Sequence, residues 1–388
     1  MIDRHLAREL QQLANEYRIV TLTGPRQAGK TTLTRQTFPD YAYVSLEDPD
    51  QRALANDDPR AFLALWRPPV IFDEIQRVPS LLSYLQTRVD DNLANGQYIL
   101  TGSHQLALSE AISQSLAGRT ALLTLYPLSM AELDKSDLTR DTDSLLHRGF
   151  LPAIHARSMD ATRYYRNYYQ TYVERDVRQM LLIRDMLLFD KFVRLCAGRI
   201  GQLFVASQLA NEVGVSIHTI QHWLSVLEAS FIIHRLPPFH ENIGKRLVKA
   251  FKLYFVDVGL AAWLLGIENV SQIQRDPLRG ALFENLVVME LIKARANQGQ
   301  DPQLFFYRDS NGNEVDALFR RGRRYIPIEI KSAETFHQRF LKGIEAFRRA
   351  YPEGAERGFL VYDGALCPSL EYAEVVNVRD AARVIQSR

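Results

Sequence analysis

"TLTGPRQAGKTTL", residues 21–33, is the stretch on which the reading of this chain turns. An apolar run, "YRIVTLTG" (17–24), stops in a loop bounded by two glycines and followed at once by a lysine and two threonines. Gly24, Pro25, Arg26, Gln27, Ala28, Gly29, Lys30 and Thr31 fit the spacing G-x-x-x-x-G-K-[ST]. That chemistry needs each part. Glycines let backbone N–H groups wrap a phosphate, and a helix N-terminus adds its own positive field. A lysine in this position reaches β- and γ-phosphates, and the hydroxyl that follows ligates Mg²⁺. The context expected is a strand before and a helix starting near Lys30 after, with Thr32 completing the nucleotide-binding set.

The partners of such a loop lie downstream. "VIFDEIQ" (70–76) is an apolar strand ending in an acidic pair. Asp73 is expected to support Mg²⁺ through water, and Glu74 to polarise the attacking water as general base. "ILTGSH" (99–104) places polar groups at the end of another strand. Ser103, or with less reason Thr101, is positioned to orient the lytic water or sense the γ-phosphate; capping of the strand is the plainer role. "SLAGRTALL" (115–123) offers Arg119, which can stabilise transition-state charge beside its own nucleotide or a neighbouring subunit's, or form a surface ion pair. Strands at 17–24, 41–48, 68–76 and 97–104, separated by helical stretches, predict a parallel α/β sheet.

The 388 residues suffice for two or three domains. With 46% hydrophobic and 24% charged residues the composition is that of a globular protein, and no apolar run approaches the roughly 18 residues of a membrane span. "MIDRHLAREL" is amphipathic and lacks the apolar core of a signal peptide, with Leu6, Leu10 and Leu13 on one helix face. Two cysteines far apart, Cys196 and Cys367, argue against disulfides and zinc and for the cytoplasm. A net charge of +2 decides nothing about nucleic acid. Two local clusters, "FRRGRRYIP" (319–327) and "IGKRLVKAFK" (243–252), read first as solvated faces.

After residue 133 the strand–helix alternation stops. Residues 134–144 read as a polar linker. "RYYRNYYQTYVERDVRQM" (163–180) interleaves tyrosines and arginines; stacking on single-stranded bases is one use, a packed tyrosine face at helical spacing the favoured one. "FVASQLANEVGVSIHTIQHWLSVLEASFIIHRLPPF" (204–239) has the form of a helix-turn-helix. Its second helix, Ile217 to Glu228 capped by Ser216, carries Ile217, Ile220, Trp223, Leu224 and Leu227 on one face. The other face, with His218, Thr219, Gln221, His222 and Ser225, has no lysine or arginine before Arg235. Phosphate contacts supply most non-specific DNA affinity, so protein packing is favoured over DNA binding here. His218 and His222 lack a third metal ligand.

"QLFFYRDSNGNEVDALFRRGRRYIPIEIKSAETF" (303–336) predicts three strands separated by "SNG" and "RRG" turns. Asp316 falls on the second, Glu329 and Lys331 on one face of the third. Asp316 and Glu329, joined by Glu284 of "LFENLVVMEL", can hold Mg²⁺ and polarise a phosphodiester, and Lys331 can orient the nucleophile or offset charge. Arg320, Arg321, Arg323 and Arg324 are expected to flank this site and meet phosphates.

The order of "GPRQAGKTTL", "VIFDEIQ", "ILTGSH" and "SLAGRTALLTLYPLSMAEL", continuing through "YYQTYVERDV", "LEASFIIHRLPPF", "KLYFVDVGLAAWLLG" and "FENLVVMEL", resembles the prokaryotic AAA+-type ATPases that carry a C-terminal DUF4143 domain. The resemblance spans nearly the whole chain. It implies an α/β protein: a P-loop NTPase (AAA+-like) parallel-sheet domain at 1–135, a helical linker or lid at 136–203, a winged-helix-like domain at 204–262, and at 263–388 an α/β, restriction-endonuclease-like domain whose Asp316, Glu329 and Lys331 resemble the PD-(D/E)xK core. Arg175 and Asp176 belong to the resembling segment without a role that chemistry assigns.

The expected function is an ATPase that binds ATP and Mg²⁺ and couples hydrolysis to a DNA-interacting, nuclease-like module. The alternative is an ATP-gated interaction or DNA-binding regulatory protein with an inactive nuclease-like platform. A homo-oligomer is required if Arg119 acts in trans.

Overall fold

The computed structural model describes residues 2–103, 115–133, 141–172, 186–239 and 250–386. Arg175 and Asp176, and most of the basic stretch 243–252, lie outside them. The chain forms two compact units: residues 1–128 with 229–231 and 296–300, and residues 129–228, 232–295 and 301–388. The four segments read from the sequence are thus gathered into two units.

In the first unit α1 (Leu6–Glu16) precedes β1 (Ile19–Thr23), the loop, α2 (Lys30–Thr37), β2 (Ala42–Ser45), α3 (Pro49–Asp57), α4 (Pro59–Leu65), β3 (Val70–Asp73), α5 (Leu81–Asp91), β4 (Tyr98–Gly102) and β5 (Thr120–Thr124). The strands pair in parallel in the order β2-β3-β4-β1-β5. Central β1 is "IVTLT", buried at every position, as a parallel strand covered on both faces must be. One face packs Val44, Phe62, Phe72, Leu85 and Leu100; the other packs Leu6, Leu10, Leu33, Ile71 and Ile99. α1 buries Leu6, Leu10 and Ala14. Parallel pairing brings the C-terminal ends of β1, β3 and β4 to one edge, where open α/β sheets bind their ligands.

The second unit begins with helices. α6 (Thr142–Arg148) and α7 (Ala161–Tyr168) lead into α8 (Met186–Ala197), α9 (Ala206–Val213) and α10 (Ile217–Ala229). The tyrosines of the Tyr/Arg stretch are a packed face. Tyr164, Tyr165, Tyr168, Tyr169 and Tyr172 are buried, Tyr164 and Tyr168 stack at 6.3 Å, and the Tyr165 hydroxyl donates to Asp257 at 2.6 Å. The turn between α9 and α10 passes through a left-handed Gly214, and Ser216 Oγ accepts from Thr219 N. α10 buries Ile220, Trp223, Leu224 and Leu227, but Ile217 is 48% exposed, because it opens the helix before the buried stripe begins. Antiparallel β6 (Ile233–Leu236) and β7 (Lys252–Phe255) follow.

α11 (Val258–Leu264) is capped by Asp257. α12 (Arg279–Ala296) then precedes a mixed sheet, β12-β11-β10-β9-β8. β8 (Leu304–Arg308), β9 (Glu314–Arg321) and β10 (Arg324–Lys331) are antiparallel neighbours, as the turn signals predicted. α13 (Lys342–Ala350) crosses over to β11 (Gly358–Tyr362), which runs parallel to β10 and to β12 (Ala373–Asn377). The expected α/β class, with an N-terminal parallel sheet, a helical middle and a C-terminal α/β part, is the fold observed. Among the described residues no helix is long and apolar enough to cross a membrane.

Candidate functional site

The loop leaves β1 at Gly24, where φ is +144° and a Cβ would stand 2.1 Å from the Leu125 carbonyl oxygen. Only glycine fits. Gln27 adopts φ of 63° and Gly29, just before α2, φ of 95°. Arg4 braces the loop: its guanidinium donates to Ala28 O at 2.6 Å and Tyr126 O at 2.7 Å. Arg26 pairs with Glu47 at 3.0 Å. Pro25 and Ala28 close a turn, and Thr32 is exposed on the first turn of α2.

Lys30 is only 6% exposed. Its ammonium donates to Gly24 O at 2.9 Å and Pro25 O at 3.0 Å. Burial pulls its pKa down to about 8, against the pull of Glu74 and Asp73 in the other direction. Thr31 Oγ1 donates to Asp73 Oδ2 at 3.0 Å. Tyr43 OH donates to the same oxygen at 2.8 Å, and Thr101 donates to Asp73 Oδ1. Three hydroxyls therefore satisfy a buried carboxylate that would otherwise be costly to desolvate. Thr31 Oγ1 and the Asp73 carboxylate are adjacent hard oxygen donors next to an ammonium, a set that fits Mg²⁺ retaining several waters.

Glu74 turns left-handed, with φ of 57°, and its N–H donates to Thr101 Oγ1 at 3.2 Å. Its Oε2 accepts from Ser103 Oγ at 3.1 Å and from Gln76 Nε2. Gln76 Nε2 also reaches Ser103 Oγ at 3.1 Å. Ser103 thus meets the acid expected to act as base.

Arg119 is placed otherwise. β5 pairs with β1 so that Thr120 lies opposite Ile19 and Thr124 opposite Thr23. Arg119 is therefore at the edge remote from the loop, about 20 Å of strand from Gly24 at ~3.3 Å per residue. It forms a two-point ion pair with Asp90, at 2.7 and 2.8 Å. The expectation that it sits beside its own nucleotide is corrected: the register of β5 carries it to the wrong end of the sheet.

The second unit brings Glu284, Asp316, Glu329 and Lys331 together around a common charge cluster. Lys331 Nζ lies 2.8 Å from Asp316 Oδ2 and 2.7 Å from Glu329 Oε2. Lys252, 1% exposed on β7, lies 3.1 Å from Glu284 and 2.6 Å from Glu314, and Tyr254 OH donates to Glu284 at 2.6 Å. α13 comes so close that a Cβ at Gly343 would stand 1.8 Å from Glu329 Oε1. Burial, reinforced by the Asp316 charge, pushes Glu329 up to about 8 and Glu284 up to about 6. Burial raises Asp316 as well, but Lys331 and Lys252 outweigh it and hold that carboxyl below its ordinary value.

Two expectations fail here. Asp316, Glu329 and Glu284 are not gathered as metal ligands: among the described residues no three His, Cys, Asp or Glu side chains are grouped to hold a metal ion. Lysine ammoniums stand between the acids instead. Nor do the four arginines flank the cluster. Arg320, Arg321, Arg323 and Arg324 form the far end of the β9–β10 hairpin, about 16 Å of strand from Asp316 at ~3.3 Å per residue. Arg321 is paired with Glu356. Lys252, read as part of a solvated basic run, is instead one of the most buried charges among the described residues. Its signal was the alternation of "KLYF", which puts Lys252 and Tyr254 on one face.

On α10, His218, Gln221 and His222 are exposed. Arg235 is held by Glu228 and lies over the Phe251 ring at 5.4 Å. Tyr43, Arg4 and Gln76 also escaped the sequence reading, since nothing local distinguishes them from packing residues.

The family model described as an AAA domain matches residues 16–134. Two domains of unknown function, DUF8612 and DUF4143, match residues 139–271 and 279–380. Uncharacterized proteins of Mycobacterium tuberculosis and Mycobacterium bovis are each 31% identical over 336 residues, covering 86% of this chain and 74% of their own. An uncharacterized protein of Haemophilus influenzae is 24% identical over 377 residues, covering 87% of this chain and 89% of its own. Among solved structures, the Walker-type ATPase of Pyrococcus abyssi gives a TM-score of 0.44 at 15% identity, covering 68% of this chain and 96% of that one. AMPPCP-bound DnaA from Aquifex aeolicus gives 0.29 at 13%, covering 58% and 86%.

Proposed function

This chain belongs to the family of AAA-domain proteins that end in a DUF4143 domain, and from that premise we propose that it binds and hydrolyses ATP with Mg²⁺ and that the nucleotide cycle governs what its C-terminal unit binds. The observation that carries the first half is the convergence of Lys30, Thr31, Asp73 and Glu74 on one edge of a parallel sheet.

In this reading the loop amides and Lys30 bind the β- and γ-phosphates, with the ammonium leaving the carbonyls of Gly24 and Pro25 for phosphate oxygens. Thr31 Oγ1 and Asp73 would hold Mg²⁺, which would neutralise charge on the phosphates. Tyr43 and Thr101 fix the Asp73 carboxylate. Glu74 takes the proton of the attacking water. A phosphate contact by Arg119 requires a second copy of the chain. The test is nucleotide binding and phosphate release by wild type, Lys30→Ala and Glu74→Gln. Lys30→Ala should lose binding; Glu74→Gln should bind and fail to turn over. A Lys30→Ala protein as active as wild type would sink the reading.

For the C-terminal unit, one observation favours a platform that binds without cutting. Lys252 pairs with Glu284, and Lys331 with Asp316 and Glu329, the acids that a nuclease would need for its metal. DNA is the partner in this reading, with Arg320, Arg323 and Arg324 of the arginine hairpin as contacts. Incubation with Mg²⁺ or Mn²⁺ and duplex, branched or single-stranded DNA discriminates: cleavage lost in Asp316→Ala would restore the nuclease reading. Retardation of DNA that weakens steeply with salt would support binding alone.

A further inference from the structure

Gln76 stands two residues beyond the acidic pair and belongs to no motif of the loop. Its side chain nevertheless closes a three-membered ring of polar groups at the site. Nε2 donates to Glu74 Oε2 and, at 3.1 Å, to Ser103 Oγ, while Ser103 Oγ donates to Glu74 Oε2 at 3.1 Å. The orientation of the amide follows from its neighbour. A carboxylate oxygen accepts only, so the amide must present its NH₂; the flipped amide would set two acceptors against each other.

That orientation has a consequence. Gln76 Oε1 is shielded from solvent and takes no hydrogen bond from any described residue. A buried acceptor left without a donor is costly, so the amide holds this orientation against that cost in order to keep Nε2 on Glu74 and Ser103. Glu74 Oε1, for its part, takes no hydrogen bond among the described residues. Glu74 therefore has one oxygen tethered by two donors and the other left to act as base.

We infer that Gln76 is a positioning residue for hydrolysis. Its Nε2, with Ser103 Oγ, fixes the rotamer of Glu74 and so holds the carboxylate ready to remove a proton from the attacking water. The γ-phosphorus–oxygen bond to the β-phosphate breaks as the water oxygen bonds phosphorus. ADP leaves with that electron pair, and the abstracted proton resides on Glu74 until it is released. This assignment rests on the reading that the site hydrolyses ATP.

The experiment measures fluorescent-nucleotide affinity and single-turnover hydrolysis on the full chain for wild type, Gln76→Ala, Gln76→Glu, Glu74→Gln and the double variant Gln76→Ala/Glu74→Gln. Gln76→Ala should bind nucleotide within threefold of wild type and hydrolyse at least thirtyfold more slowly. Gln76→Glu, nearly isosteric and so kinder to the fold, should do the same. The double variant should be no slower than Glu74→Gln alone, since residues acting as a unit lose their function together. A structural role predicts additive losses and weakened binding. Hydrolysis by both Gln76 variants within threefold of wild type, or an additive double variant, overturns the assignment and leaves the ATPase intact. A wild-type chain that binds MgATP and never turns it over overturns the ATPase reading and this assignment with it.

Discussion

Lys331 Nζ stands 2.8 Å from Asp316 Oδ2 and must serve Glu329, at 2.7 Å, with the same single charge. One ammonium cannot ionise two buried carboxyls equally. Asp316, which also receives the Ile330 N–H at 2.8 Å and feels Lys252, keeps its charge; Glu329 keeps a proton up to about pH 8.

Stability should therefore fall as pH rises through the neutral range. Glu329 and Glu284 ordinarily titrate at 4.5 and in the folded chain at about 8 and about 6. A folded pKa above the unfolded one means that the unfolded chain gives up its proton first. Their contribution is full below pH 4.5 and is lost as pH climbs through 6 and then 8. Urea midpoints of the C-terminal unit's transition, taken from pH 5 to 8.5, should decline. Glu329→Gln should flatten the decline, and an unchanged slope would refute the assignment of the proton to Glu329.

Lys252→Ala should be strongly destabilising. The substitution leaves Glu284 and Glu314 facing each other without their shared cation, and breaking one side of a buried pair costs about 3–5 kcal/mol. Lys252→Met combined with Glu284→Gln removes the charge together with its partner and should recover much of the loss. Denaturant titration of both variants against wild type checks this.

Tyr43→Phe should affect turnover more than binding. The hydroxyl is one of three donors to Asp73, and Thr31 and Thr101 remain. A hydrogen bond to a charged group contributes about 1.5–3 kcal/mol, so the rate should drop roughly tenfold with nucleotide affinity nearly unchanged.

Arg119→Ala should leave nucleotide affinity of the single chain within twofold of wild type, because its partner is Asp90 at the remote edge of the sheet. If the residue serves a neighbouring copy, turnover should fall only in the assembled form, and mixing Arg119→Ala with Lys30→Ala chains should restore part of it. A large loss of affinity in the single chain would contradict the register of β5.

Residues 19–31 and 70–74 were legible because their chemistry is local. An apolar run buried on both faces, a glycine at an angle no other residue tolerates, and a lysine and threonine opening a helix follow from neighbours in the chain, so the parallel sheet, the loop and the acidic pair could be read off the letters. "EVDALF" and "IPIEIK" were legible as facing strands for the same reason, their period of two.

What charges do to one another was not legible, because it depends on groups far apart in sequence. Lys252 reads as one more cation in a basic run; only the packing of β7 against α12 and β9 buries it between Glu284 and Glu314 and turns an expected metal site into an ion-paired one. Arg119 reads as a catalytic arginine until strand register carries it to the other edge of the sheet. Gln76 carries no signal of its own until a fourth strand brings Ser103 to meet it and Glu74. Propensity and periodicity act over a few residues, whereas desolvation and Coulomb energy act over a few ångströms. The chain brings its chemistry within that distance only once it has folded.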